Sequence, residues 1–252
     1  MTRIGERFDI MDAMTQAVVE GVVRSMIVVG PPGVGKSYGV EFQLEKAGMF
    51  DKLAGKRVKY EVIKGAMTSI GLYCTLYKYS DPKNVLVFDD CDSILLDDVS
   101  LNLLKGALDS GKKRKISWLS ESSTLRREGI PDQFEFKGSV IFITNLKFDT
   151  MKSQKLRDHL DALESRCHYI DLQMDTEREK ILRIEQVVRQ GDMLEDYDFK
   201  PWDTDEVLDF IKSNASKLRE LSLRMVIKIA DLKKGMPQNW QAVARTTCMR
   251  RV

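Results

Sequence analysis

The chain has 252 residues, of which 43% are hydrophobic and 31% charged, and its formal net charge is +2. That is the make-up of a globular protein with one large domain, or a medium domain and a small one, and it excludes polyanion binding through bulk charge, so any nucleic-acid contact has to be local. The cysteines Cys74, Cys91, Cys167 and Cys248 have no C-x-x-C spacing and are accompanied by two histidines, which argues against zinc and for a reducing compartment.

Residues 9–24 read as a helix, with Ile10, Ala13, Met14, Ala17, Val18 and Gly21 near one face. The stretch before and through it, MTRIGERFDIMDAM, has no signal-type apolar run, and no segment approaches the roughly eighteen apolar residues of a membrane span. The expectation is a cytoplasmic protein with no membrane partner. The apolar run Met26–Val29 follows and leads into Gly30-Pro31-Pro32-Gly33-Val34-Gly35-Lys36-Ser37. This G-x-x-x-x-G-K-S spacing, between a strand and a helix that opens at Tyr38, is the phosphate-binding loop of nucleoside triphosphatases. Gly33 and Gly35 let the backbone approach phosphate oxygens, and the N–H groups of about residues 33–37 converge on one anion at a helix N-terminus. Lys36 reaches the β- and γ-phosphates and the Ser37 hydroxyl ligates Mg²⁺. Gly30 to Tyr38 are therefore the expected nucleotide-binding residues.

A strand is predicted over 58–63, followed by the turn Lys64-Gly65-Ala66-Met67-Thr68. VLVFDDCD, residues 85–92, makes a buried strand with two carboxylates at its C-terminal end, where open α/β sheets bind ligands. Asp89 is positioned to hold the Mg²⁺ hydration shell, and Asp90 to orient and deprotonate a water; two solvated acids are the plain alternative. A helix over about 99–109 precedes the awkward segment 111–139. There, alternation in Ile116-Ser117-Trp118-Leu119 and Phe134-Glu135-Phe136-Lys137 predicts an inserted β-hairpin with a long tip. VIFITN, residues 140–145, delivers Asn145, whose amide both donates and accepts and can hold a water in line; a turn-forming Asn is the alternative. A last strand is expected at 168–172. Five apolar runs separated by helices predict a five-stranded parallel sheet. Beyond Asp175, residues 176–190, 203–213, 220–233 and 238–249 read as helices without a strand. The expected domains are 1–173, with a linker helix in 1–24 and the insertion at about 111–139, and a helical domain at 174–252.

In this order the phosphate loop, the strand ending in acids, the strand ending in Thr-Asn and the helical C-terminal domain resemble the AAA+ ATPases over nearly the whole chain. The resemblance implies adenine over guanine, hence ATP with Mg²⁺, and a small all-α lid. HLDALESRCHYIDL, residues 159–172, is similar to the Ser-Arg-Cys segment of clamp-loader-type members, which implies that Arg166 reaches the γ-phosphate held by a neighbouring subunit. A finger of this kind contributes about 10³–10⁵ in rate. Arg157 is a weaker second candidate for that role. ELSLRMVIKIADL, residues 220–232, resembles the second sensor, which implies that Arg224 contacts the γ-phosphate of its own subunit. On a plain reading Arg224 merely lies outside the apolar face of an amphipathic helix. The chain departs from most active members in having Asp90 where they have Glu, a residue shorter by about 1.5 Å, which leaves slow hydrolysis open.

An arginine supplied in trans implies a head-to-tail homo-oligomeric ring, expected as a hexamer, with a pentamer as the other size. Two loops are then expected at the channel. The first holds Lys64 and Met67, and the second is the hairpin tip, Ser122 to Gly129, with Arg126 and Arg127. The run Lys112 to Lys115 adds to this basic character. The first loop lacks the aromatic that polypeptide-threading members carry. The leading expectation is a motor or loader acting on DNA in replication or recombination, of the compact single-module kind that phages encode, in the host cytoplasm. The other is a protein-remodelling or assembly ATPase, a switch with slow hydrolysis.

Overall fold

A computed structural model describes residues 4–56, 59–146, 153–191 and 193–250. Val58, the start of the expected second strand, and the first three residues of the linker segment lie outside the described residues. The chain divides into two compact units. One comprises Phe8–Gly30 and Lys36–Asp171; the other comprises Pro31–Gly35, Leu172–Val252 and the N-terminal residues to Arg7. The phosphate loop is thus grouped with the helical unit from Pro31 to Gly35 and with the sheet unit from Lys36 onward.

The strands are β1 (Ser25–Val29), β2 (Tyr60–Lys64), β3 (Val85–Asp89), β4 (Lys115–Ser117), β5 (Gln133–Glu135), β6 (Ser139–Thr144) and β7 (His168–Asp171). Five of them form a sheet in the order β2-β3-β6-β1-β7, and every neighbouring pair is parallel. The three inner strands, β1, β3 and β6, are buried along their whole length, which is why they read as unbroken apolar runs. The helices of this unit are α1 (Ile4–Val19) from Phe8 onward, α2 (Lys36–Leu53), α3 (Ser69–Lys78), α4 (Asp98–Ala107), α5 (Ser123–Glu128) and α6 (Gln154–Glu164). Leu72 and Leu76 of α3, Leu101 and Leu104 of α4, and Leu160 and Leu163 of α6 close over the sheet, where Phe88 and Phe142 stack with centroids 5.6 Å apart.

Helix α1 departs from the expected 9–24. It stops at Val19 because Gly21 takes φ +77°, and Val22 N donates to Ala17 O at 3.0 Å, the pattern of a left-handed C-terminal cap. Its buried face is Phe8, Met11, Thr15 and Val18, whereas Ile10, expected inside, is 49% exposed. The insertion is an antiparallel β4–β5 pair registered Ile116 to Phe134, and its connection holds α5. The Ser122 hydroxyl accepts from Leu125 N to start α5, and Gly129 at φ +66° ends it. Leu125 is buried in the core of the sheet unit, so the tip is packed down.

The helical unit contains α7 (Glu177–Gln190), α8 (Pro201–Ser213), α9 (Leu223–Gly235) and α10 (Trp240–Thr247). Thr176 and Glu179 form a capping box at α7, and Pro201 opens α8. Ile184, Val207, Ile211, Val226, Ile229 and Trp240 make its core. Buried Lys233 is held by Asp203 at 3.1 Å and Glu206 at 2.7 Å. Among the described residues no helix is long and apolar enough to cross a membrane.

Candidate nucleotide site

Parallel strands bring their C-terminal ends to one edge of the sheet. Lys36 and Ser37 open α2 just beyond β1, Asp89 ends β3, and Asn145 follows β6. Lys36 Nζ donates to Gly30 O at 2.8 Å and to Asn145 Oδ1 at 2.7 Å. Asn145 Nδ2 donates to Asp90 Oδ1 at 2.8 Å. Ser37 Oγ donates to Asp89 Oδ1 at 2.9 Å. Lys36 and Asp89 are 6% and 5% exposed, while Asp90 and Asn145 face solvent. Five residues singled out from separate motifs, Lys36, Ser37, Asp89, Asp90 and Asn145, thus form two hydrogen-bonded groups on one edge.

Local backbone fixes their aim. Asp90 takes φ +50° and its N–H donates to Ile143 O at 2.9 Å, so the chain turns across the end of β6 immediately after Asp89. Thr144 Oγ1 donates to Asp92 Oδ1 at 2.8 Å and accepts from Leu146 N at 3.0 Å, tying the turn after β6 to the turn after β3.

Lys64 is the last residue of β2, one position inside the expected turn, and lies beside this cluster. Its ammonium is 2.6 Å from Glu41 and 3.5 Å from Asp89 Oδ2. The Glu41 hydrogen bond, with further help from Asp89, holds the Lys64 pKa above its usual value against the opposing effect of burial. Met67 is half-buried against the core, and its N–H donates to Ser93 Oγ at 3.2 Å. Tyr38 is exposed on α2 and stacks on Phe42, with centroids 6.2 Å apart. The expected channel arginines lie on helix α5, each beside a carboxylate. Arg126 is 2.9 Å from Glu121, and Arg127 is 3.3 Å from Glu128. The tip therefore carries two exposed arginines, each paired with an exposed carboxylate.

Arg166 precedes β7, so in its own chain it stands at the N-terminal edge of the sheet, opposite Lys36 and Asp89. Its NH1 donates to Ala162 O at 2.6 Å, and its buried Nε finds no partner among the described residues. Arg157, on α6, donates to Gln154 Oε1 at 2.6 Å.

In the helical unit, Pro31–Gly35 runs against the start of α9. Leu223 N donates to Gly33 O at 2.8 Å. Gly33 has φ +72°, and a Cβ there would come within 2.7 Å of Ser222 Cβ and 3.7 Å of Arg224 Cγ, so only glycine permits the approach. Arg224 is exposed in the first turn of α9. Arg183 of α7, which no motif singles out, donates from Nε to Val34 O at 3.3 Å and from NH1 to Gln186 Oε1 at 3.0 Å. It appears in the sequence as one more charge on an amphipathic helix, and only the fold brings it to the loop.

No protein-family model matches the chain. It is 37% identical over 245 residues to an uncharacterized 36.7 kDa protein in the nrdC-mobD intergenic region of Enterobacteria phage T4, covering 96% of this chain and 74% of that one. Among solved structures it is similar to domain III of the Thermotoga maritima replication initiation protein DnaA, with a TM-score of 0.54, 13% identity, and coverage of 96% of this chain and 92% of that one. It is also similar to the replication initiator DnaA bound to AMPPCP and single-stranded DNA, with a TM-score of 0.51 and 13% identity. There it covers 93% of this chain but spans only 62% of that chain. The fold is that of the AAA+ P-loop nucleoside triphosphatases, five-stranded parallel sheet and helical C-terminal region included.

Proposed function

The chain belongs to the family of the phage T4 36.7 kDa protein, and we propose that it is an ATPase of the AAA+ class that works as a homo-oligomeric ring on nucleic acid. The observation that carries the reading is the hydrogen-bonded run from Lys36 through Asn145 to Asp90, beside the Ser37–Asp89 pair. In this reading the backbone of residues 33–37 holds the phosphates of ATP, and Lys36 exchanges its bonds to Gly30 O and Asn145 for β- and γ-oxygens. Ser37 Oγ and Asp89 Oδ1 are oxygen donors 2.9 Å apart, a small, hard set that fits Mg²⁺ retaining several of its waters. When bound, that ion neutralises charge on the β- and γ-phosphates. Asp90 takes the proton of the attacking water, and Asn145, still held by its bond to Asp90 while its freed Oδ1 accepts from the water, keeps that water in line. Arg166 acts on the site of the next subunit, Arg224 on the nucleotide of its own, and the ring is a hexamer.

Support for nucleic acid comes from the DnaA neighbour, whose structure holds single-stranded DNA. The experiment is ATP turnover by the purified chain with and without single-stranded DNA. Turnover that depends on Lys36 and rises with DNA is expected. A chain that binds no adenine nucleotide overturns the reading. A second reading, an assembly switch with slow hydrolysis, is favoured by Asp90 itself, since the shorter side chain holds its carboxylate farther from a γ-phosphate than Glu does. Turnover raised by a protein partner and unaffected by DNA selects it.

A further inference from the structure

The tip has one carboxylate for each arginine, and the chain has a second concentration of positive charge in which cations outnumber carboxylates. Arg24 leads into β1, Lys112 and Arg114 precede β4, and Lys137 follows β5. With Glu135 and Phe136 they line one cavity of about 260 Å³. It lies where β1 and β6 begin, roughly 17 Å of strand from the edge that carries Lys36 and Asp89.

Arg114 is the anchor. It is only 7% exposed, with NH1 donating to Ala107 O at 3.0 Å, NH2 to Gly138 O at 2.9 Å, and the guanidinium 5.2 Å from the Phe136 ring centre. It makes no ion pair among the described residues. Burial pushes its pKa down to about 10, the nearby Arg24 charge pushes the same way, and Glu135 opposes them. Arg24 is likewise held by carbonyls, Ser110 O at 3.4 Å and Gly111 O at 3.2 Å. Lys137 is 3.3 Å from Glu135, the one acid in the lining, and Lys112 is exposed. Four cations therefore face one carboxylate. Both guanidinium groups are oriented by backbone carbonyl dipoles, which fix their aim without cancelling their charge. An anion in the cavity removes their repulsion and partners the buried guanidinium. Exposed Lys113 and Lys115 continue the charge beyond the cavity, a track longer than one phosphate needs.

We propose that this cavity, at the edge of the sheet opposite the phosphate loop, takes the phosphodiester backbone of single-stranded nucleic acid. The proposal rests on the nucleic-acid reading above and names where that contact is made. It accounts for a chain with a net charge of only +2 gripping a polyanion locally.

The test is fluorescence anisotropy of labelled oligothymidylate with a non-hydrolysable ATP analogue, between about 50 and 200 mM salt. The chains compared are wild type, the triple variant Arg24→Ala/Lys112→Ala/Lys137→Ala, and the tip variant Arg126→Ala/Arg127→Ala. Arg114 is left intact because it is buried in the fold. The triple variant is expected to bind about tenfold or more weakly, with its log–log salt slope reduced by about 2, or roughly 0.7 for each of three lost contacts. The tip variant is expected to follow wild type, and all three should keep their affinity for a fluorescent ATP analogue. If wild type binds and the triple variant binds equally well, the cavity assignment falls and the nucleic-acid reading stands. If wild type does not bind at the lowest salt, the nucleic-acid reading itself falls. Thermal stabilisation by inorganic phosphate in wild type and not in the triple variant, without a loss of DNA affinity, makes this a small-anion pocket and overturns the assignment to nucleic acid.

Discussion

Asn145 is hydrogen-bonded to an ionic group on each side, Lys36 and Asp90. Its oxygen accepts from Lys36 and its nitrogen donates to Asp90, so one amide orientation satisfies both neighbours and the reverse satisfies neither. Replacing Asp90 gives a clean test, because its backbone is at φ +50°, a region that Asn tolerates nearly as well as Asp. Asp90→Asn is therefore expected to keep the fold and nucleotide affinity and to lose turnover by about 10²–10⁴-fold; turnover at the wild-type rate means that the water is activated by another group. These residues were legible in the sequence because each sits in a short motif at the end of a strand, and strand ends converge by topology. Lys64 was less so. A boundary shift of one residue decides whether it belongs to a turn or stands beside Asp89, and no periodicity resolves one residue at a strand end. Arg183 was not legible at all, since its contact with Val34 O depends on how a distant helix packs.

At the scale of elements, the five strands were readable because β1, β3 and β6 are buried on both faces and need apolar residues throughout. The insertion was readable only in its flanks. Alternation marked β4 and β5, but the six residues of α5 are too few for a helical period to appear, and they read as loop. Leu125 is what makes α5 more than a surface turn. It is 1% exposed in the core of the sheet unit, so Leu125→Ala is expected to lower unfolding free energy by about 2–4 kcal/mol. A change below 0.5 kcal/mol in denaturant titration, roughly that of a surface substitution, means that the tip is not anchored there. The caps of α7 give a prediction about pH. Glu179 accepts from the backbone of Thr176, first among its contacts, from the Thr176 hydroxyl and from Asp175 N, and these hold its carboxyl below the usual carboxylate range. A carboxyl with a depressed folded-state pKa stabilises the fold above its unfolded pKa, and that stability is lost as pH falls through the folded value. Glu179→Gln is expected to flatten the acid limb of the melting curve in that window and leave the neutral-pH limb with a constant offset; an unchanged acid limb removes the box from the account.

For the whole molecule the decisive fact is where Arg166 stands. In its own chain it is at the N-terminal edge of the sheet, with Lys36, Asp89 and Asn145 at the C-terminal edge, so it stands away from its own chain's cluster. A role in the reaction would therefore require a second copy, and a head-to-tail contact that repeats makes a closed ring or an open spiral. Subunits carrying Arg166→Ala retain their own Asp90, and subunits carrying Asp90→Asn retain the arginine they lend. Each is expected to be inactive alone. In an equal random mixture a working site needs Asp90 from its own subunit, a chance of one half, and Arg166 from its neighbour, again one half. Turnover is then expected to recover to about one quarter of wild type, and to fall on either side of the equal ratio. That peak separates a shared site from simple addition, which gives no recovery at any ratio. A mixture as inactive as its components removes Arg166 from the reaction and, with it, the argument for a ring.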